Sequence, residues 1–519
     1  MGRINTNVQS LIAQRVLSQN NLGLSGALER LSTGLKITRG KDDPAGLIAS
    51  ENLRSEQKGL NQAISNAERA DQVVNIAEGG LQEVSGLLTE LQGLLTATAS
   101  KAGLSSEEKQ ANQLQIDSIL QTIDRVSSAT NFQGIKLLNG NFDFKVDSVA
   151  AGVTDFRVNA AKFSGASLGV DVQVTTSAQQ AGLFLSLGGS GGININTGTS
   201  ALVLEISGSK GSRELAFSSG TTLAKIRDAV NTFSDVTGVT ATVSGGGIKL
   251  VSSEFGSTEF VSAKIVNDAG INSTANGDAA TPTRGIYQLG AADFSTATAG
   301  SVVTFASATN SVRDTGQDLG ATINGIRATA TGKTARINTD FLDVEVTLSS
   351  ASGSNKAQTL GNVGSASAAA FNISGGGADF QLAGRVDIAG KVSLGIQDVA
   401  TRKLGNSATG FLDRLGSGKT SNIVTGDIAD AQKIVSESIK QVSALRGRLG
   451  SFQKNTLGAT IRSLGISVEN TAAAQSVIRD ANFAEETAAL TRSQILVSAS
   501  TNILALANSQ PQSALQLLG

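Results

Sequence analysis

The chain has 519 residues, a length that allows roughly two to four domains. It contains no cysteine, histidine or tryptophan, which excludes disulfides, thiolate and imidazole catalysis, and zinc sites built on those ligands. With 42 basic and 43 acidic residues it is nearly neutral, and so carries no general electrostatic footprint for nucleic acid or anionic lipid. No apolar run reaches the roughly 18 residues of a membrane span, and residues 1–7 (Met1-Gly2-Arg3-Ile4-Asn5-Thr6-Asn7) lack the apolar core of a secretory signal.

Taken in chain order, residues 1–142 read as long helices. Asp42-Asp43-Pro44 offers a carboxylate cap and a first-turn proline. From Leu60, apolar residues recur at Ala63, Ala67, Ala70, Val74, Ala77, Leu81, Val84, Leu88, Leu91 and Leu95. That 3-4 alternation is the seam of a coiled coil or helical bundle. Ser105 with Glu108 spells a capping box for a further helix, which ends in the turn Asn131-Phe132-Gln133-Gly134.

The middle of the chain is dense in Gly, Ser and Thr, and the apolar period falls to two, as in Val170-Val172-Val174 and Leu342-Val344-Val346-Leu348. Turn signals such as Asn324-Gly325 separate these runs. Leu223, Ile226, Val230 and Phe233 predict one short helix among the strands. From about 404 the helical grammar returns: Val442, Leu445, Leu449 and Phe452 are spaced 3-4-3, and Leu457, Ile461, Leu464 and Val468 are spaced 4-3-4. The expected fold is multidomain: an all-α coiled-coil or helical-bundle core built from both chain ends, with a β-rich α+β insertion. The predicted domains are 1–39 with 480–519, 40–142 with 404–479, and the insertion 143–403. The insertion is expected to subdivide into about 143–190 with 365–403, and 191–364.

Both extreme ends carry apolar residues on more than one face, and a helix of that length cannot cover them itself. Isolated helices are marginal. The expectation is that these ends are disordered in a free monomer and become helical when neighbouring copies cover them. The assembly residues assigned on that basis are Ile4, Val8, Leu11, Leu17, Leu28, Leu31 and Leu35, with Ile478, Phe483, Ile495, Ile503, Leu506 and Leu518. The intramolecular seam is assigned to Leu60, Val74, Leu81, Val84, Leu88, Leu91, Leu95, Leu445, Leu449, Phe452, Ile461 and Leu464.

Other motifs read as ordinary structure. Gly418-Lys419-Thr420 and Gly332-Lys333-Thr334 mimic the end of a phosphate loop, but Asp413 and Arg327 stand where the first glycine is required. Asp42-Asp43 is a helix cap in preference to a metal pair. No constellation supports an enzyme, and no cofactor is expected.

Several stretches resemble bacterial flagellin. They are Ile4–Asn7; Leu28-Glu29-Arg30-Leu31-Ser32-Thr33-Gly34-Leu35-Lys36-Ile37 with Lys41–Gly46; Ile123–Val126 with Asn131–Gly134; Leu445-Arg446-Gly447-Arg448-Leu449-Gly450; and Ile478-Arg479-Asp480-Ala481-Asn482-Phe483-Ala484. The resemblance implies a self-polymerising subunit of the extracellular flagellar filament, with an inner tube of terminal helices, an outer helical wall and a solvent-facing insertion. It implies unfolded export without a cleaved signal, a route that a cysteine-free chain suits. It also implies as partners other copies of itself, the filament cap, hook-associated junction proteins, and an export chaperone on the C-terminal segment; nucleic acid and membrane insertion are not expected. The alternatives are a hook–filament junction protein of the same family or a coiled-coil surface adhesin. In the family, the stretch matching Leu88–Leu95 is read by an animal innate-immune receptor. Here Glu90 stands where the family often has Arg, and Gly93 where it often has Glu, beside Leu91 and Leu94. Weak recognition is expected.

Overall fold

In the computed structural model, the described residues are 6–100, 104–187, 201–244, 246–269, 284–290, 293–303, 305, 307–350, 360–364 and 369–516. The chain divides into two compact units. One comprises Met1–Val74, Phe380–Lys391 and Gly450–Gly519; the other comprises Asn75–Asp379 and Val392–Leu449.

The helices at the start of the chain are α1 (Val8–Thr33), α2 (Pro44–Thr98) and α3 (Ser106–Ala129). Each begins on the chemistry that its sequence offers. The Asn7 side chain accepts the Ser10 N–H, Asp43 accepts the Gly46 N–H at 2.9 Å, and Ser105 with Glu108 forms a full capping box. Gly34, at φ 70°, closes α1 in the left-handed conformation that favours glycine. Along α2, every seam position from Ala63 to Leu95 is buried.

At the far end of the chain lie α6 (Ile428–Ser451), α7 (Gly458–Arg479) and α8 (Phe483–Gln516). A π-helical turn, Phe452–Leu457, joins α6 to α7. Its origin is legible: the apolar spacing jumps by five between Phe452 and Leu457, and an i→i+5 turn keeps both side chains buried where a regular helix would rotate one away. One expectation needs correction here. The C-terminal helical zone starts at Ile428, not near 404. Residues Gly405–Asn406 and Gly410–Phe411 form a small hairpin, followed by a 3-10 turn at Leu412–Leu415. In addition, the turn after α3 is a true hairpin, with Asn131–Phe132 paired to Ile135–Lys136 around Gln133 and Gly134, both at positive φ.

Within the second unit, polar ties fix the helices. Arg446 Nε donates to Glu78 Oε1 at 2.8 Å, and Asp124 accepts the Thr401 N–H at 2.8 Å. The Gln113 side chain donates to the Leu415 carbonyl and accepts the Ile423 N–H, closing the irregular stretch before α6.

The insertion contains two hydrophobic clusters. The first is built by Val153–Ala161, Val172–Thr176, Gly320–Ile323, Thr334–Asn338, Leu342–Leu348 and Phe371–Gly376, around Val172, Val344, Val346 and Phe371. The second runs from Ala181 to Val312. It holds a five-stranded sheet around Gly182–Ser186, a four-stranded sheet around Leu202–Gly208 and Phe260–Asn267, and the helix α4 (Leu223–Thr232), followed by the one-turn α5 (Ser234–Thr237). The division therefore falls near 180 and 316, not near 191 and 364. Leu342–Leu348 pairs along its length with Val153–Ala161, and Gly320–Ile323 pairs with Val172–Thr176, which ties 319–348 to the first cluster. At the neck between the clusters Gln179 and Gln317 exchange backbone hydrogen bonds of 2.8 and 3.0 Å, Ser257 N–H donates to Asp318 at 3.1 Å, and Lys333 lies over the Phe255 ring.

Candidate assembly interface

Within the first unit, α1 and α8 lie antiparallel. Asn7 donates to the Ala507 carbonyl at 2.8 Å, Asn20 to Ser500 Oγ at 2.6 Å, and Arg30 pairs with Glu486 at 2.8 Å. On α1 the inward positions are Ser10, Ala13, Leu17, Asn20, Leu24, Ala27 and Leu31, a strict 3-4 seam. Its fully buried members are small: Ser10, Ala13 and Ala27 on α1, met by Ser500 and Ala507 on α8. Small residues let the backbones approach closely but withdraw little apolar area, about 0.8 kcal/mol per buried methylene.

Many of the large apolar residues of these helices point elsewhere. Val8, Leu11 and Leu28 on α1, and Phe483, Ile495, Ile503 and Leu506 on α8, are exposed, Phe483 by 70% and Leu506 by 64%. Leu17, Leu31, Leu35 and Ile478 are half-buried. Ile4 and Leu518 lie outside the described residues. The sequence assignment thus falls into a solvent-facing set on the two terminal helices and a partly covered set nearer their junction.

That junction is a feature the sequence reading missed. Leu35 and Asp480 form an antiparallel bridge, with Lys36 N–H donating to the Arg479 carbonyl at 2.7 Å and Ala481 N–H to the Gly34 carbonyl at 2.9 Å. Two long helical layers are stitched here by backbone alone, so side-chain periodicity gives no sign of it. Beside it, Arg479 reaches Glu51 at 2.9 Å. Asp42 accepts the Arg39 N–H and the Thr38 hydroxyl, each at 2.9 Å, and these bonds hold its carboxyl below the ordinary carboxylate value. It acts as a turn-former at this site. Among the described residues, no group of three or more acidic side chains could hold a metal ion.

The intramolecular seam residues divide between the units. Leu81, Val84, Leu88, Leu91, Leu95, Leu445 and Leu449 are buried in the second unit; Val74 and Phe452 are buried in the first, where Leu60, Ile461 and Leu464 are half-covered. Glu90 and Gly93 face solvent on α2, Leu94 is half-covered, and Leu91 is wholly buried. The two phosphate-loop mimics are turns: Gly418 and Gly332 both take positive φ, and Gly332 sits between paired Thr331 and Thr334.

These features coincide with known families at both ends. Residues 4–143 match the bacterial flagellin N-terminal helical region and residues 432–518 the bacterial flagellin C-terminal helical region, while 186–254 match the flagellin hook IN motif. The chain is 29% identical to a flagellin of Salmonella typhimurium and 27% identical to flagellin B of Helicobacter pylori, in each case over 99% of both chains.

The chain belongs to the bacterial flagellin family.

Flagellins are structural proteins that self-polymerise, and this one is a subunit of the helical bacterial flagellar filament, an extracellular organelle of motility. A solved structure of the D2-D3 domains of the flagellar cap protein FliD from Serratia marcescens covers 40% of this chain and 99% of its own. The two are 20% identical and superpose poorly, with a TM-score of 0.24.

Proposed function

We propose that the subunit polymerises through the exposed apolar faces of α1 and α8, and that its work is mechanical and involves no catalysis. One observation carries this reading: Val8, Leu11, Leu28, Phe483, Ile495, Ile503 and Leu506 of the terminal helices face solvent, while the fully buried members of the helix pair's seam are Ala and Ser. Contiguous exposed apolar surface marks an interaction site, and a polymerising family supplies the partner, a second copy. On this reading 1–39 with 480–519 form the inner layer and 40–142 with 404–479 the wall, leaving the two clusters of the insertion outermost. Purified chain, seeded in salt, is expected to grow into long filaments visible by electron microscopy; persistent monomer under those conditions would count against the reading.

The same faces support further partners. The apolar residues Ile495, Leu496, Ile503 and Leu506 of α8 suit an export chaperone before assembly, and filament ends require contact with cap and hook-junction proteins. The absence of cysteine supports export of an unfolded chain, since no disulfide obstructs threading.

Poor recognition by the animal receptor is a separate proposal. Its support is that Glu90 and Gly93 face outward in the segment, together with Thr89, while Leu91 is wholly buried. In a reporter-cell assay, the combination Glu90→Arg with Gly93→Glu is expected to raise signalling about tenfold or more, the scale of an interface hot spot. An unmodified chain that already signals at full strength contradicts the proposal.

A further inference from the structure

The first unit also contains a segment that lies outside the terminal helices. Residues Phe380–Lys391 form an arm whose base rises from the strands Ala378–Gln381 and Lys391–Leu394. The arm is fixed from within: Leu382 N–H donates to the Gly390 carbonyl at 2.9 Å, and Gly390 N–H to Asp387 Oδ1 at 2.7 Å. It is also anchored on α2. Asn66 donates to the Gln381 carbonyl at 3.2 Å, and a Cβ added at Gly59 would stand 2.8 Å from the Gly384 carbonyl oxygen. Backbone meets backbone there, an approach that the missing side chain of Gly59 permits.

A loop this firmly held ordinarily ends in polar residues or glycine. This one ends in Arg385-Val386-Asp387-Ile388, with Val386 93% exposed and Ile388 47% exposed. A fixed apolar tip flanked by one positive and one negative charge is a shape presented to something else.

A complement exists on α7 of the same chain. Arg462, Ile466 and Glu469 occupy i, i+4 and i+7, one face of a helix; all three are exposed, Ile466 by 60%. This face offers an apolar centre with one positive and one negative neighbour, matching the tip when Arg385 meets Glu469 and Asp387 meets Arg462. Height favours the match as well. α2 and α7 run antiparallel, tied by Gln453 to Asp71 at 3.2 Å and by Arg479 to Glu51 at 2.9 Å. Gly59, which seats the arm, lies twelve residues from Asp71, and Ile466 thirteen from Gln453. At about 1.5 Å per residue, arm and stripe are level to within about a turn. Both are exposed within one chain, so neither covers the other, whereas two copies standing side by side bring them together.

We propose that the arm tip at Val386 docks on the Arg462–Ile466–Glu469 face of a laterally neighbouring copy, a subunit contact distinct from the α1–α8 faces. The proposal rests on the filament reading.

The natural absence of cysteine supplies a clean test. Full-length Val386→Cys and full-length Ile466→Cys chains are mixed, copolymerised and mildly oxidised. The expected result is a disulfide-linked heterodimer from the mixed filaments, absent from mixed monomers and from filaments of either chain alone. In parallel, Arg385→Glu is expected to raise the protein concentration needed for polymerisation by about tenfold, and Glu469→Arg in the same chain to restore it, with circular dichroism of the monomers unchanged. Filaments that form without the heterodimer, or a charge reversal with no effect, overturn the arm contact and leave the filament reading standing. If the unmodified chain forms no filament at all, the filament reading fails and this contact fails with it.

Discussion

Removing residues 1–39 together with 480–519 is expected to leave a folded monomer that no longer polymerises, with the concentration needed for filament growth raised at least about a hundredfold, the equivalent of about 2.8 kcal/mol. Two independent facts lead to this expectation. The buried polar ties and both insertion clusters of the second unit lie outside the deleted segments, so that unit keeps its core. The fully buried members of the seam between the deleted helices are small, yet these helices carry Val8, Leu11, Phe483, Ile495 and Leu506 to solvent. Sedimentation after seeding, with circular dichroism of the supernatant, measures both halves of the prediction. Normal filament growth by the truncated chain contradicts it.

The second large effect concerns the interior. Leu88 is wholly buried in the α2 seam, and Leu88→Ala is expected to destabilise the second unit by about 2–5 kcal/mol, through lost transfer free energy and the cavity left behind. Two residues on, Glu90 faces solvent, and Glu90→Ala is expected to change stability by no more than about 0.5 kcal/mol. Chemical denaturation of the two variants side by side distinguishes a seam from a merely apolar helix. Equal effects would show that the 3-4 periodicity has been misread.

How much of this was legible in the sequence depended on whether a property was local. The α2 seam could be read in full, because a helix converts spacing into burial directly. Even the π-turn at Phe452–Leu457 is written there, as a step of five among threes and fours. The caps at Asn7, Asp43 and Ser105 likewise follow from neighbouring residues. The division of the insertion was not legible. Which strand pairs with Leu342–Leu348 depends on residues nearly two hundred positions away, and the Gln179–Gln317 bridge is made by backbone groups that any residue carries. The stitch at Leu35 and Asp480 escaped notice for the same reason. For the candidate interface, exposed residues such as Val8, Leu11 and Phe483 could be nominated because no single helical face holds them all. The polar interruptions Asn20 and Arg30 that fix the α1–α8 register gave no periodic signal. The arm at Phe380–Lys391 was also missed: its apolar tip spans too few residues to form a pattern, and the Gly59–Gly384 contact that seats it joins distant parts of the chain.

The central claim is that α1 and α8 become fully stable only when other copies cover their outer faces. Amide hydrogen exchange, compared between free monomer and assembled filament, tests it most directly. Protection within residues 8–33 and 483–516 is expected to be weak in the monomer, strong in the filament, and accompanied by little change along residues 75–98 of α2. Strong protection of both terminal helices in the free monomer would contradict the account.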